Sequence, residues 1–211
     1  MLRVALTGGV ATGKSHVRAR IASRGVPTVD ADAIVHELFA AGSEVSREVV
    51  RRFGPAMATG DGGVDRRALG ALVFADAAAR HALEAIVHPR VYDRLAAWTS
   101  AQAERGARWA LAEIPLLFET GREGDFDRVL VVACSTDEQV RRLARRDGLA
   151  EPAARARVAA QWPIDEKVRR ATDIVDTSGS LEDTDRQVDA ICKGLDEVGR
   201  TRARETGPPP D

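Results

Sequence analysis

The chain has 211 residues, 44% of them apolar and 30% charged, and a formal net charge of −1. That length suits one domain with room for insertions and a substantial core, and the near-neutral charge gives no electrostatic ground for bulk nucleic-acid binding. No run of about 18 apolar residues offers a membrane span, and the opening MLRVALTGG enters a strand-like run without the basic and apolar regions of a signal peptide.

Cys134 and Cys192 lack metal-ligand spacing and read as buried, reduced thiols of a cytoplasmic protein. Of the 31 basic residues only Lys14, Lys167 and Lys193 are lysines. Against that arginine bias, a lysine marks a place where a compact ammonium is needed and a guanidinium does not fit.

RVALTGG (3–9) reads as the first strand. It runs into Gly8-Gly9-Val10-Ala11-Thr12-Gly13-Lys14-Ser15, a full match to G-x-x-x-x-G-K-[ST]. SHVRARIAS follows as a helix, with Val17 and Ile21 four apart on one face. In that context glycines let backbone N–H groups converge on a polyphosphate at a helix N-terminus. Lys14 then reaches the β- and γ-phosphates, and Ser15 ligates Mg²⁺. A glycine-rich turn that binds nothing is the competing reading, and the flanking strand and helix weigh against it.

VPTVDAD (26–32) reads as the second strand and ends on Asp30-Ala31-Asp32. Carboxylates at the carboxyl ends of strands in open α/β sheets face the ligand crevice, so one here can accept the proton of an attacking hydroxyl. Equally, an aspartate can cap the helix AIVHELFA that follows. Roughly 75 residues then precede the third strand, far more than one crossover helix needs. The gap holds the helical patterns EVSREVVRRF, RALGALVFAD and PRVYDRLAAWTSAQA. It reads as an insertion that makes a second substrate site. Pro89 suits the first turn of the last of these helices, with His88 just outside it.

RWALAEIPLL (108–117) is the third strand. Glu113 within it is either an acid that holds Mg²⁺ through water or an edge carboxylate without a role. DRVLVVAC (127–134) is the fourth strand, and DEQVRRLARRDG (137–148) after it sets Arg142 and Arg146 on one helix face. A mobile arginine-bearing helix can close over ATP and neutralise charge on the transferring group; a solvated arginine-rich face is the plainer reading. DIVDTSG (173–179) is the fifth strand and its closing turn. From about residue 201 the chain lacks apolar periodicity and ends on three prolines, the composition of a disordered tail. Short apolar strands alternating with helices imply a parallel α/β sheet.

Taken in order, these segments resemble the dephospho-coenzyme A kinase family over about residues 1–195. LTGGVATGKS resembles the family's opening loop, VDAD its acidic motif, VDRRALGALVF and IVHPRV its insertion, and IPLLFE its third-strand exit. VRRLARRDGL and ARVAAQWPIDEKVRRATDIVDTSGS resemble its lid and terminal nucleotide-contact region. The resemblance implies a P-loop NTPase fold: a five-stranded parallel sheet flanked by helices, a helical substrate-binding insertion and a helical lid. One kinase domain would span 1–200, with a core over about 1–32, 107–136 and 171–198, the insertion over about 33–106 and the lid over about 137–170.

The activity implied is ATP- and Mg²⁺-dependent phosphorylation of the ribose 3′-hydroxyl of dephospho-coenzyme A. Gly9, Val10, Ala11, Thr12, Gly13, Lys14, Ser15 and His16 would hold the ATP phosphates, with Lys167, Thr177 and Gly179 toward the other end of ATP. Asp32 would be the base, and Arg142 and Arg146 would act with Lys14 on the transferring group. Arg66 and Arg67 would meet the acceptor's phosphates, and His88, Pro115, Leu116 and Leu117 the rest of it. Ser15 and Glu113 would hold the metal. His16 stands where the family usually has threonine, and Thr177 where it usually has asparagine. The rivals are another P-loop kinase acting on a nucleoside monophosphate or small hydroxyl compound, and a silent nucleotide-binding regulator. No partner beyond these small molecules is implied, neither nucleic acid nor membrane, and the oligomeric state is left open.

Overall fold

The computed structural model describes residues 1–205. Its strands are β1 (Leu2–Gly8), β2 (Thr28–Asp30), β3 (Trp109–Glu113), β4 (Arg128–Ala133) and β5 (Asp173–Asp176). Its α-helices are α1 (Lys14–Ser23), α2 (Ala31–Leu38), α3 (Glu44–Phe53), α4 (Arg66–Ala75), α5 (Ala77–Glu104), α6 (Thr136–Asp147), α7 (Glu151–Ala159), α8 (Ile164–Arg169) and α9 (Leu181–Glu205). Two compact units emerge, one of residues 30–98 and one of residues 1–29 together with 99 onward.

The larger unit is built on a five-stranded sheet in the order β2-β3-β1-β4-β5. β1 pairs parallel with both β3 and β4, Leu6 lying opposite Glu113 on one side and Leu130 on the other, and β4 pairs parallel with β5. β1 therefore sits where the chain switches direction across the sheet, the point at which open α/β sheets bind ligands beyond their strand carboxyl ends. One face is a continuous core. Leu2, Val4 and Leu6 of β1, Leu111 of β3 and Leu130 and Val132 of β4 pack against Val17 and Ile21 of α1 and Val188 and Leu195 of α9. Each such side chain contributes about 1.5–3 kcal/mol by leaving water. The alternate residues Ala5, Ala112, Val129 and Val131 are buried too, which is why the strands read as unbroken apolar runs. β3 stops at Glu113 because Pro115 has no N–H to donate to a ladder.

In the smaller unit each α-helix starts on a side chain that accepts from its first turn. Asp30 takes Asp32 N–H at 2.9 Å, Ser43 takes Ser46 N–H at 2.8 Å, and Asp65 takes Arg67 and Ala68 N–H at 2.9 Å each. Asp76 does the same for Ala78 and Ala79, so α5 starts there and Pro89 falls inside it rather than at its first turn. The helix runs through the proline because Val87, Val91 and Leu95, four apart, keep one buried face across it. At the other end of the chain α9 continues through Glu205, so residues 201–205 of the expected disordered tail are helical; residues 206–211 lie outside the described residues. Among the described residues no helix is long and apolar enough to cross a membrane.

Candidate active site

The loop between β1 and α1 is shaped by two close approaches. A Cβ on Gly8 would stand 2.3 Å from the Val132 carbonyl oxygen, and one on Gly9 would stand 2.2 Å from Oε1 of the buried Gln139. Gly13, at φ +92°, turns the chain into α1. The loop is then held from several sides. The Thr12 hydroxyl donates to Gly9 O at 3.0 Å, and Val10 N–H donates to Gln161 Oε1 at 2.8 Å. Val10 and Ala11 pack on the small core of Val140, Leu143 and Ala154 between α6 and α7. Lys14 Nζ donates to Gly9 O at 2.8 Å and Gly8 O at 3.3 Å, so the ammonium lies over the loop. The His16 N–H of the first turn closes on the Gly13 carbonyl at 3.0 Å, and with the Lys14 and Ser15 N–H groups ahead of it at the helix N-terminus this makes a cradle for anionic oxygens.

α6 faces that cradle. It starts on Ser135, whose hydroxyl accepts from Glu138 N–H at 3.2 Å. A cavity of about 410 Å³ is lined by Ala11, Gly13, Lys14 and Ser15 on one side and by Arg142, Arg145 and Arg146 on the other. A second, of about 560 Å³, shares Gly13, Arg142 and Arg145 and extends to His16, Thr177, Gly179 and Leu181.

The arginines are held differently. Arg142 Nε donates to Glu138 Oε1 at 2.6 Å, while its two terminal nitrogens donate to the Thr177 hydroxyl at 3.1 Å and the Thr177 carbonyl at 2.6 Å. The Thr177 hydroxyl in turn reaches Thr12 O at 2.7 Å. Burial pushes the Glu138 carboxyl up, but the hydrogen bond and charge of Arg142, with Arg141, hold it below the ordinary value. Arg146 is drawn back by Asp147 at 2.7 Å, and that hydrogen bond holds the Asp147 carboxyl down.

The sequence profile of the dephospho-CoA kinase family matches residues 2–183. The chain belongs to the dephospho-CoA kinase family. It is 42% identical to the dephospho-CoA kinase of Geobacillus kaustophilus over 92% of this chain and 97% of that one. A solved structure from Thermus thermophilus superposes with a TM-score of 0.77 at 39% identity, covering 92% of this chain and 97% of that one. The dephospho-CoA kinase from Campylobacter jejuni does so at 0.62 and 25% identity, over 92% and 96% of the two chains. The P-loop kinase fold expected for a dephospho-CoA kinase is the fold observed.

Other residues anticipated for a dephospho-CoA kinase site divide into groups. Glu113 is 6% exposed at the exit of β3, with its Oε2 2.7 Å from Arg18 Nε, one turn along α1 from Lys14. His16 pairs with Asp185 of α9 at 2.8 Å, which accounts for a histidine where the family usually carries threonine. Lys167 departs from its expected place at the ATP end. It is wholly buried, its ammonium 2.7 Å from Glu119 and 3.5 Å from the Pro115 carbonyl, in a space that suits an ammonium rather than a guanidinium. Leu117 also departs from its expected substrate contact, being a fully buried core residue, whereas Leu116 next to it is exposed. Thr177 lines the larger of the two cavities, but its hydroxyl is engaged by Arg142 and Thr12.

In the smaller unit the two aspartates separate: Asp30 is the cap, and Asp32 stands exposed in the first turn of α2. Arg66 Nη1 lies 2.9 Å from His36 Nδ1, Arg67 is exposed, and His88 sits against the Tyr92 ring at 5.9 Å. Residues that sequence reading missed are Arg18, Gln139, Arg145, Gln161 and Glu119. Arg18 and Arg145 carried a signal, helical spacing from Lys14 and Arg142. The two glutamines carried none, since the Gln161 partner is 151 positions away.

Proposed function

We propose that this chain transfers the γ-phosphoryl group of ATP to the ribose 3′-hydroxyl of dephospho-coenzyme A, giving coenzyme A and ADP. The observation that carries the reading is a complete phosphate loop opposite three arginines of α6 across one cavity, in a chain of the dephospho-CoA kinase family. Lys14 and the α1 N–H groups take the donor phosphates, and Arg145 and Arg146 neutralise charge on the group in flight. Arg142 keeps the nucleotide turn in place through Thr177. The acceptor oxygen forms its bond to phosphorus as the bond to ADP breaks, and the hydroxyl proton passes to Asp32. A loose transition state leaves positioning and charge stabilisation as the protein's main work.

Among the described residues no group of three His, Cys, Asp or Glu side chains forms a metal cage. That donor set suits Mg²⁺, which keeps waters and binds through one or two protein oxygens plus substrate phosphates. Ser15 would hold it directly and Glu113, fixed by Arg18, through water; when bound, the ion draws charge off the phosphate oxygens.

A coupled ADP-release assay with dephospho-coenzyme A, adenosine and AMP as competing acceptors tests the assignment. Turnover is expected with dephospho-coenzyme A alone; comparable turnover with AMP would make the chain a nucleoside monophosphate kinase. Asp32→Ala is expected to lose about 10²–10⁴-fold in kcat, the range of a general base, with ATP affinity unchanged. An equal loss of ATP affinity would move Asp32 to the metal.

A further inference from the structure

At the amino-terminal end of the sheet, remote from the phosphate loop, a cavity of about 600 Å³ opens between the turn after α1, the end of α5 and α9. Its volume lies within the range of small-molecule sites, about 300–1,000 Å³. Arg24, Arg105 and Arg108 line it against one carboxylate, Asp196. That carboxylate is already committed, accepting from Trp109 Nε1 at 3.0 Å and lying 3.7 Å from Arg108. Arg24 is held by Asp189 at 2.5 Å. Arg105 has no side-chain partner among the described residues.

The floor carries a second and independent sign. Gln102 is only 7% exposed, yet its amide makes no hydrogen bond to any described residue, and it lines the cavity. With no partner among the described residues, the amide is left to the cavity, where solvent or a ligand can pair with it. Val26, Pro27 and Trp109 supply an apolar wall. Cys192 closes the floor, and burial pushes its thiol up to about 11, so it stays protonated and non-nucleophilic. The lining has the means to bind and no group for covalent chemistry.

We propose that this cavity is a second binding site, for a phosphate-bearing small molecule. Arg105 and Arg108 supply the charge, and the Gln102 amide N–H is the fixed donor to a phosphate oxygen. The site is distinct from that of ATP. α1 starts at Lys14 and ends beside Arg24, so its ten residues hold the two sites about 15 Å apart. An occupant there touches the far end of the helix that carries the phosphate loop.

The test follows the Trp109 indole N–H by heteronuclear NMR, assigned by Trp109→Phe, while inorganic pyrophosphate is added to a Lys14→Ala protein whose phosphate loop is disabled. The Trp109 signal is expected to shift saturably, and Arg105→Glu in the same background should weaken binding by about tenfold or more. Gln102→Leu should weaken it too while leaving the unfolding midpoint at or above its parent's, because a non-binding amide is replaced by an apolar group of similar size. A Trp109 signal that stays still into the millimolar range overturns the proposal. So does a shift of equal affinity in Arg105→Glu, or a Gln102→Leu protein that binds equally and melts lower.

Discussion

Thr177 joins three parts of the site through one hydroxyl. It accepts from Arg142 of α6 and donates to the Thr12 carbonyl of the phosphate loop, while its own carbonyl takes a second Arg142 nitrogen. Thr177→Val keeps the shape and removes the hydroxyl, leaving a buried carbonyl and a guanidinium nitrogen without their partner. The expected cost is about 1–3 kcal/mol of stability by urea denaturation, with KM for ATP raised as Arg142 loosens. A shift in the urea midpoint with KM unchanged would make the network structural only. Lys167 offers a harsher case. Lys167→Met strands Glu119 and should cost about 3–5 kcal/mol, while Lys167→Met with Glu119→Leu should recover much of it. Equal losses in the two proteins would mean that the pair is worth no more than its packing. The phosphate loop itself was legible because it is a local object, a strand, eight residues and a helix in register. Lys167 was misplaced because its partner Glu119 is far along the chain, and nothing local in IDEKVRR marks a buried side of α8.

α1 and α9 lie together through a ladder of charges at helical spacing. His16, Arg20 and Arg24 on one helix meet Asp185 and Asp189 on the other, with Arg20 paired to Asp189 at 2.7 Å and Arg24 to the same carboxylate at 2.5 Å. The hydrogen bond from Arg20 holds the Asp189 carboxyl below the ordinary value against the pull of burial. Asp189→Asn is expected to lower Tm at neutral pH and low salt. The gap to the parent should narrow in about 1 M salt, where the screening length falls to about 3 Å. A gap unchanged by salt would show that Asp189 acts by packing rather than charge. The four-residue spacing on each helix is plain in the sequence, but which helix meets which is set by the sheet between them. That is why the sequence could place His16 beside the loop but not show it as the first rung of this ladder.

Across the whole molecule, the five parallel strands and the helices flanking them were legible because buried parallel strands and amphipathic helices have different periods. The ends of the larger unit are tied by a contact that no period reveals. Asp127, just before β4, accepts from Arg3 N–H of β1 at 2.7 Å and pairs with Arg202 near the end of α9 at 2.9 Å. Burial pushes this carboxyl up, but the Arg3 amide and the Arg202 and Arg3 guanidiniums outweigh it and hold it below the ordinary value. A depressed carboxyl stabilises the fold fully above its unfolded pKa of about 3.9, and the contribution is lost as pH falls through the lower folded value. Arg202→Ala removes one of the groups that hold Asp127 down. The variant should therefore be less stable than its parent at pH 7, by about 0.5–1 kcal/mol since Arg202 is partly exposed. On acidification both proteins begin to lose this contribution near the shared unfolded pKa, but the loss ends at a higher pH in the variant, whose folded carboxyl is less depressed. Once Asp127 is protonated in both proteins, the two unfolding curves should converge. A difference that persists undiminished in acid would assign the effect of Arg202 to the packing of α9 and not to Asp127.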